Sequence, residues 1–341
     1  MNSPRRVVIE LWLAVPLLAM ATPAYSMCVP CPCDVCDLRS AGQANWVILD
    51  RDRGRITLIP NIHVTGRGED FALLLPTPSI PEVNSVPDTL WAQAFRLTAA
   101  QVYTPRGDFD CSDYTSNFPM SPGAADDGVD IVQQTRVGAF LLTTLQASDP
   151  AALVSWLNQH GFTLATEDAD KFRPFTDRHW FFCAMQVDPS SSIGSWDVSM
   201  DPVAFTFEAT QLEVPLGILG INRDMTFRMH FFVVDEHRAA LPGFQTMYAN
   251  RISPTEYAAI RTMYPQLSAY LSSGLFLTRL DRTFGGTDRM AGSILMTRAP
   301  DDTEYRQSFR RWVMSGDTLL FGVVLVALSG IWKRHPRPKQ R

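Results

Sequence analysis

The sequence predicts an α+β fold: mixed and antiparallel sheets with a few covering helices, plus one C-terminal transmembrane helix. Three observations carry that expectation. Alternating, strand-like segments outnumber helical ones and do not alternate with them regularly, which argues against a wound parallel sheet. The chain begins with an apolar run behind two arginines, Arg5 and Arg6. It ends with residues 312–332, apolar apart from Asp317, followed directly by the basic stretch 333–341.

Residues 7–21 are mostly apolar, and Ala24-Tyr25-Ser26 offers the small residues that a signal peptidase reads. The expected organisation is a signal peptide over 1–26, an exported ectodomain over 27–311, a transmembrane helix over 312–332 and a cytoplasmic tail over 333–341. This makes the protein a single-pass cell-membrane protein with its ectodomain on the periplasmic or extracellular face. Two rival readings stay open: an uncleaved N-terminal anchor, and a C-terminal sorting tail that is later removed.

Within the ectodomain, residues 45–50 and 56–65 read as strands joined by Arg51-Asp52-Arg53-Gly54. Ile56, Leu58, Ile62 and Val64 share a face, and Pro60 marks an edge or a bulge. Residues 71–75 form a short apolar strand, stopped by Pro76-Thr77-Pro78. Asp88 caps a helix that runs to about Gln101, with Leu90, Ala94 and Leu97 in its buried stripe. Residues 103–127 lack any period, and strands resume at 129–136 and 139–145.

Asp149-Pro150 is a clear helix start, with Leu153, Trp156 and Leu157 as the stripe and Gly161 as the left-handed stop. The second half reads as strands at 179–187, 202–207, 214–222, 225–234 and 244–249, a helix at 254–263, and strands at 275–280 and 290–296. An echo between 56–77 and 203–221 admits two similar halves, 40–165 and 175–298.

Composition bounds the function. The chain of 341 residues is 46% hydrophobic and 19% charged, ordinary for a globular protein rather than a disordered one. Its formal charge of -5 includes the basic tail, so the ectodomain is more acidic still. Nucleic acid is therefore not expected as a partner, because binding it needs a clustered basic face. Export implies an oxidising compartment, which favours disulfides for the six cysteines.

Several segments together resemble a known family. These are Asp70-Phe71-Ala72-Leu73-Leu74-Leu75-Pro76-Thr77-Pro78, then Val137-Gly138-Ala139-Phe140 leading into 151–162, and then 202–220 followed by the 225–234 strand. They are similar to the bacterial "domain of unknown function 2330" family, over about residues 28–296. The resemblance implies an exported protein, often membrane-anchored, and brings no catalytic residue set with it. The cysteine-rich start, Cys28 to Cys36, departs from the family's usual pattern.

That start is the sharpest local signal. Cys28, Cys31, Cys33 and Cys36 place four sulfurs within nine residues. As thiolates they could hold a soft metal such as Zn or Cu(I), but their spacing is wrong for a zinc ribbon. A redox thiol needs a depressed pKa, often at a helix N-terminus, and Pro30 and Pro32 oppose a helix there. Structural disulfides lead, metal binding follows and thiol redox comes third. Cys183 shares a strand face with Phe181, Met185 and Val187 and reads as a small core residue. Cys111 is expected to be bonded, with the pairing left open.

Asp108, Asp110, Asp113, Asp126 and Asp127, with Asp130, make a loop that could suit a hard cation, but they match no complete calcium pattern. A solvated loop is favoured. His230 is placed on the polar face of its strand with Thr226 and Arg228, and His237 on the opposite face, so the two do not share a metal. His63 and His179 read as structural strand residues. No HExxH, GxSxG, P-loop or GxGxxG occurs, so no catalytic residue is nominated and the reading leans away from an enzyme. No cofactor is expected. The ectodomain is read as a binding or structural module for a protein or ligand partner. The alternative is a metal-binding or thiol-redox protein that uses the cysteine cluster.

Overall fold

In the computed structural model, the elements gather around two main sheets stacked face to face, with three two-stranded pairings beside them among the described residues. The structure describes residues 39–65, 72–87, 89–103, 129–138, 140–162, 164–188, 202–219, 221, 227–285, 288 and 290–310. The expected signal peptide, the cysteine cluster, Cys111, residues 108–127 and the 312–332 span lie outside them. Among the described residues no helix is long and apolar enough to cross a membrane.

Strands β1 (Arg39–Asp50) and β2 (Arg55–Thr65) form a hairpin that closes on Gly54 at φ 62°. Next come β3 (Ala72–Thr77), β4 (Glu82–Ser85), helix α1 (Thr89–Leu97) and β5 (Gln101–Tyr103). A second hairpin, β6 (Asp130–Val137) and β7 (Phe140–Gln146), turns on Gly138 at φ 58°, the left-handed conformation tight hairpins need. Helix α2 (Pro150–Gln159), a 3-10 turn (Thr166–Asp168) and α3 (Ala169–Thr176) lead to β8 (Phe181–Val187).

Then follow β9 (Val203–Glu208), β10 (Glu213–Val214), α4 (Leu216–Leu219), β11 (Phe227–Asp235), β12 (Ala239–Ala240) and β13 (Gln245–Arg251). Helices α5 (Pro254–Met263) and α6 (Pro265–Ser268) precede β14 (Phe276–Phe284). Short strands end the described chain: β15 (Ile294–Leu295), β16 (Thr297–Arg298), β17 (Tyr305–Arg306) and β18 (Ser308–Arg310).

The large sheet runs β17-β13-β14-β11-β1-β2-β9-β4, and the smaller one β3-β8-β7-β6. Every ladder in both is antiparallel except β1 against β11, where Trp46 stands beside Phe232. Mixed and antiparallel sheets with few helices bear out the α+β expectation.

Both sheets are covered on both faces. Val47, Leu58, Phe205 and Phe231 on the large sheet pack against Leu75, Leu142, Cys183 and Met185 on the small one. The outer face of the large sheet, with Trp46, Phe232 and Leu277, lies beneath Trp91 of α1, Ile260 of α5 and Leu267 of α6. The outer face of the small sheet, with Leu74, Leu145 and Phe182, lies beneath Leu153 and Trp156 of α2 and Phe172 of α3. The result is a helix–sheet–sheet–helix stack. The sequence cause is visible in β11, whose Phe231 and Val233 face the other sheet while Phe232 and Val234 face helices. A strand buried on both faces must be apolar at every position.

Several elements depart from the sequence expectations. Helix α1 stops at Leu97, because residues 101–103 are drawn into a parallel pairing with β18. The expected strand over 214–222 holds only β10 before turning into α4, where Gly217 packs against the backbone of Gly292 and its N–H bonds the Gly292 carbonyl at 2.7 Å. Helix α3 carries Pro174 in its last turns and has no sequence expectation behind it. Pro60 lies beyond the β9 ladder, which pairs only with Arg55–Leu58, so its missing N–H breaks no bond to that strand.

Candidate functional site

A cavity of about 270 Å³ lies between the two sheets. Leu58, Phe207, Met229 and Phe231 of the large sheet form one wall, Leu75, Pro76 and Pro78 another. The segment from Ala209 to Pro215 closes a third side, with Leu295 and the exposed Thr210 and Gln211 at the mouth. Protein interiors pack at crystal-like density and leave few voids larger than a water molecule. A space of this size is therefore a feature of the fold rather than packing noise.

The wall at Trp180 is built by the end of α3. The N–H of His179 bonds the Thr176 carbonyl at 2.9 Å, and the N–H of Trp180 reaches back to the Phe175 carbonyl at 3.0 Å. This is a Schellman stop, which places one residue in the left-handed region and brings the next against the helix. His179 takes that position at φ 55°, alone among non-glycine residues described. The expected hydrophobic contact is present, with Phe175 and Trp180 ring centroids 5.3 Å apart.

Arg178 completes this corner. Its guanidinium lies over Trp180 at 4.4 Å and over Phe175 at 5.3 Å. Two parallel bonds of 2.7 and 2.9 Å tie it to Glu213, which lines the cavity on the facing segment. The Arg178 guanidinium holds the Glu213 carboxyl below its usual range, against the opposing push of burial. The pair thus joins α3 to the 209–215 wall across the cavity rim.

The cavity also meets the buried Asn45 carboxamide of β1, which Gln43 flanks on the same strand. Gln43 and Asn45 are 1% and 2% exposed. They sit on the same strand face as Val47 and Leu49, among the apolar side chains of the inter-sheet core. Gln43 Nε2 donates to Asn45 Oδ1 at 2.8 Å, and Asn45 Nδ2 donates to the His230 carbonyl at 3.4 Å.

Of the residues singled out from sequence, Cys183 is described and lies in β8 within the inter-sheet core. It is a buried free thiol, with Thr77 Oγ1 at 3.7 Å and Thr144 Oγ1 at 4.0 Å from its sulfur. Burial pushes its pKa up to about 12, so at neutral pH it is a protonated thiol. Asp130 opens β6 at an exposed position. Cys28, Cys31, Cys33, Cys36, Cys111, Asp108, Asp110, Asp113, Asp126 and Asp127 lie outside the described residues. Among the described residues no group of His, Cys, Asp and Glu is arranged to hold a metal.

The strand face expected to be polar at His230 is instead largely covered, with Phe232 and Val234 on it beneath the helices. His230 lies under α1, its ring edge-on to Phe95 at 5.1 Å, with Nδ1 2.9 Å from Asp281 Oδ1 but without a hydrogen-bonding angle. Arg279 grips the same carboxylate through bonds of 3.0 and 2.9 Å. Burial alone would raise the Asp281 pKa, but His230 and Arg279 outweigh it and hold it below the usual range. His237 bonds Asp302 at 2.8 Å at the far end of the sheet, together with Arg251.

Sequence reasoning missed Asn45, Gln43, Arg178, Trp180 and Glu213. The first two had a signal: period-two alternation puts two carboxamides on the face of Val47 and Leu49. The other three are brought together only by the fold, since 35 residues separate Arg178 from Glu213.

A family model described as uncharacterised proteins conserved in bacteria, DUF2330, matches residues 26–297. The chain belongs to this family, as the segments around Leu73-Leu74-Leu75-Pro76-Thr77-Pro78 suggested. Three of those residues, Leu75, Pro76 and Pro78, line the cavity. No curated protein and no solved structure matches the chain.

Proposed function

We propose that this DUF2330 protein is an exported envelope protein, anchored by residues 312–332, whose ectodomain binds a small and mostly apolar ligand between its sheets. The observation that carries the binding role is the cavity of about 270 Å³, walled by Leu58, Leu75, Phe207, Met229 and Phe231. An apolar hole of about 150 Å³ accepts benzene, and ordinary ligand pockets begin near about 300 Å³. The volume suits one or two fused rings or a short acyl chain.

Binding is favoured over chemistry by the lining itself. Among the described residues of that lining Glu213 is the one ionisable side chain, and both of its oxygens accept from Arg178. Arg178 stabilises the Glu213 carboxylate and lowers its pKa, which makes it a weak base.

The test is a titration of the full-length protein with N-phenylnaphthylamine, which fluoresces on leaving water, alongside Leu58→Phe to fill the cavity. The expected outcome is saturable binding that weakens about tenfold or more in the variant. Absent binding, or equal affinity in the variant, rejects the reading. The topology is tested by protease treatment of spheroplasts: a tag after Arg341 is expected to survive while an epitope in the ectodomain is digested.

A further inference from the structure

We infer that the ligand carries a hydrogen-bonding oxygen on its buried end and that the Asn45 carboxamide reads it. This rests on the cavity being a ligand site, and it names the class: a small apolar molecule bearing one hydroxyl or carbonyl group.

A primary carboxamide offers two N–H donors and two acceptor sites on its oxygen. Asn45 accepts one bond from Gln43 at 2.8 Å and donates one long bond to the His230 carbonyl at 3.4 Å. A backbone carbonyl only accepts, so the atom facing it is the nitrogen, and this fixes which way the amide points. Among the described residues, one N–H and one acceptor site remain without a partner on a residue that is 2% exposed and lines the cavity.

Leaving polar capacity desolvated is costly, and the cost rises in apolar surroundings. The surroundings here are apolar, with Leu58, Leu75, Met229 and Phe231 around the same space. On the same face of β1, Val47 and Leu49 show what the inter-sheet core otherwise selects. An amide placed there forfeits stability unless something entering the cavity completes it. A ligand oxygen does so whether it accepts the spare N–H or, as a hydroxyl, donates to the spare acceptor site. The rest of the ligand then meets hydrocarbon, and its outer end meets Trp180 and the Arg178–Glu213 pair at the rim.

Naphthalene and naphthol form a probe pair that differs by one hydroxyl. Calorimetric titration of the full-length protein, against a detergent blank, gives the ratio of their affinities. The reference is the ratio of their partition from water into hexadecane, which reports an apolar space with no polar reader. The expected protein ratio favours naphthol by about tenfold or more over that reference, the discrimination one completed buried hydrogen bond provides. Asn45→Leu is expected to return the ratio to the reference while still binding naphthalene. A wild-type ratio equal to the reference overturns the role of Asn45 but leaves the cavity standing, because both probes bind. Absence of binding by either probe removes the cavity reading and this inference with it. The wild-type ratio decides even where Asn45→Leu fails to fold.

Discussion

Arg178 performs three tasks at one corner: it stacks on Trp180, bonds the Pro174 carbonyl at 2.7 Å and grips Glu213. Because the folded pKa of Glu213 lies below its unfolded value, the pair's contribution is complete above the ordinary glutamate range. It is lost as pH falls through the lowered folded pKa. Arg178 is partly exposed, so the contribution is modest, about 0.5–1 kcal/mol at neutral pH. The expected outcome in urea denaturation is a stability gap between wild type and Glu213→Gln that starts to close below about pH 4.3 and then vanishes. A gap independent of pH would show that the ion pair is not its source. Cys183 makes a second prediction. Buried, with its pKa raised to about 12, it stays unalkylated in the native protein at neutral pH and reacts only after unfolding. Peptide mapping after iodoacetamide treatment reads this directly, and native-state labelling of Cys183 would contradict it.

Local chemistry explains why some elements were legible and others were not. Helix α2 is announced at both ends: Asp149 accepts from the Ala152 N–H at 2.8 Å, Pro150 occupies the first turn, and Gly161 turns left at φ 84°. Asp149→Ala is expected to cost about 1 kcal/mol in thermal denaturation, and no change would remove the cap from the account. Helix α5 is equally plain, with Ser253 and Glu256 in a reciprocal capping box. Helix α3 gives no such notice. Pro174 sits inside it, and its stop uses a histidine where sequence rules look for glycine. That substitution is costly, since a left-handed non-glycine residue is strained by about 1–2 kcal/mol. His179→Gly is therefore expected to raise stability by about 0.5–1 kcal/mol once glycine's own entropy cost is subtracted. A loss of stability would mean that the His179 side chain supplies more than the strain costs.

The stack of sheets and helices was only partly readable because its cause is long-range. Continuous apolar runs such as 231–234 mark strands buried on both faces, but they do not say which strand lies alongside. The large sheet takes β1, β2 and β4 from the first half of the chain and β9, β11, β13, β14 and β17 from the second. The small sheet takes β8 from the second half and places it between β3 and β7. With strands shared in this way, a defect in one sheet is felt by both. Phe205, fully buried at the interface, is expected to cost about 3–5 kcal/mol on replacement by alanine and to shift one common unfolding transition. The cavity opens within this interface, and the strand residues around it come from β1, β2, β3, β9, β10, β11 and β15. It exists only when the whole stack is assembled, which is why no local motif announces it.

The most direct measurement is photolabelling of the full-length protein with a diazirine-bearing naphthalene, followed by peptide mapping of the adducts. The account predicts adducts on the cavity wall, at Leu58, Leu75, Met229 or Trp180, and their suppression by excess naphthol. Adducts scattered over the exterior, or wall adducts that naphthol does not displace, would contradict it.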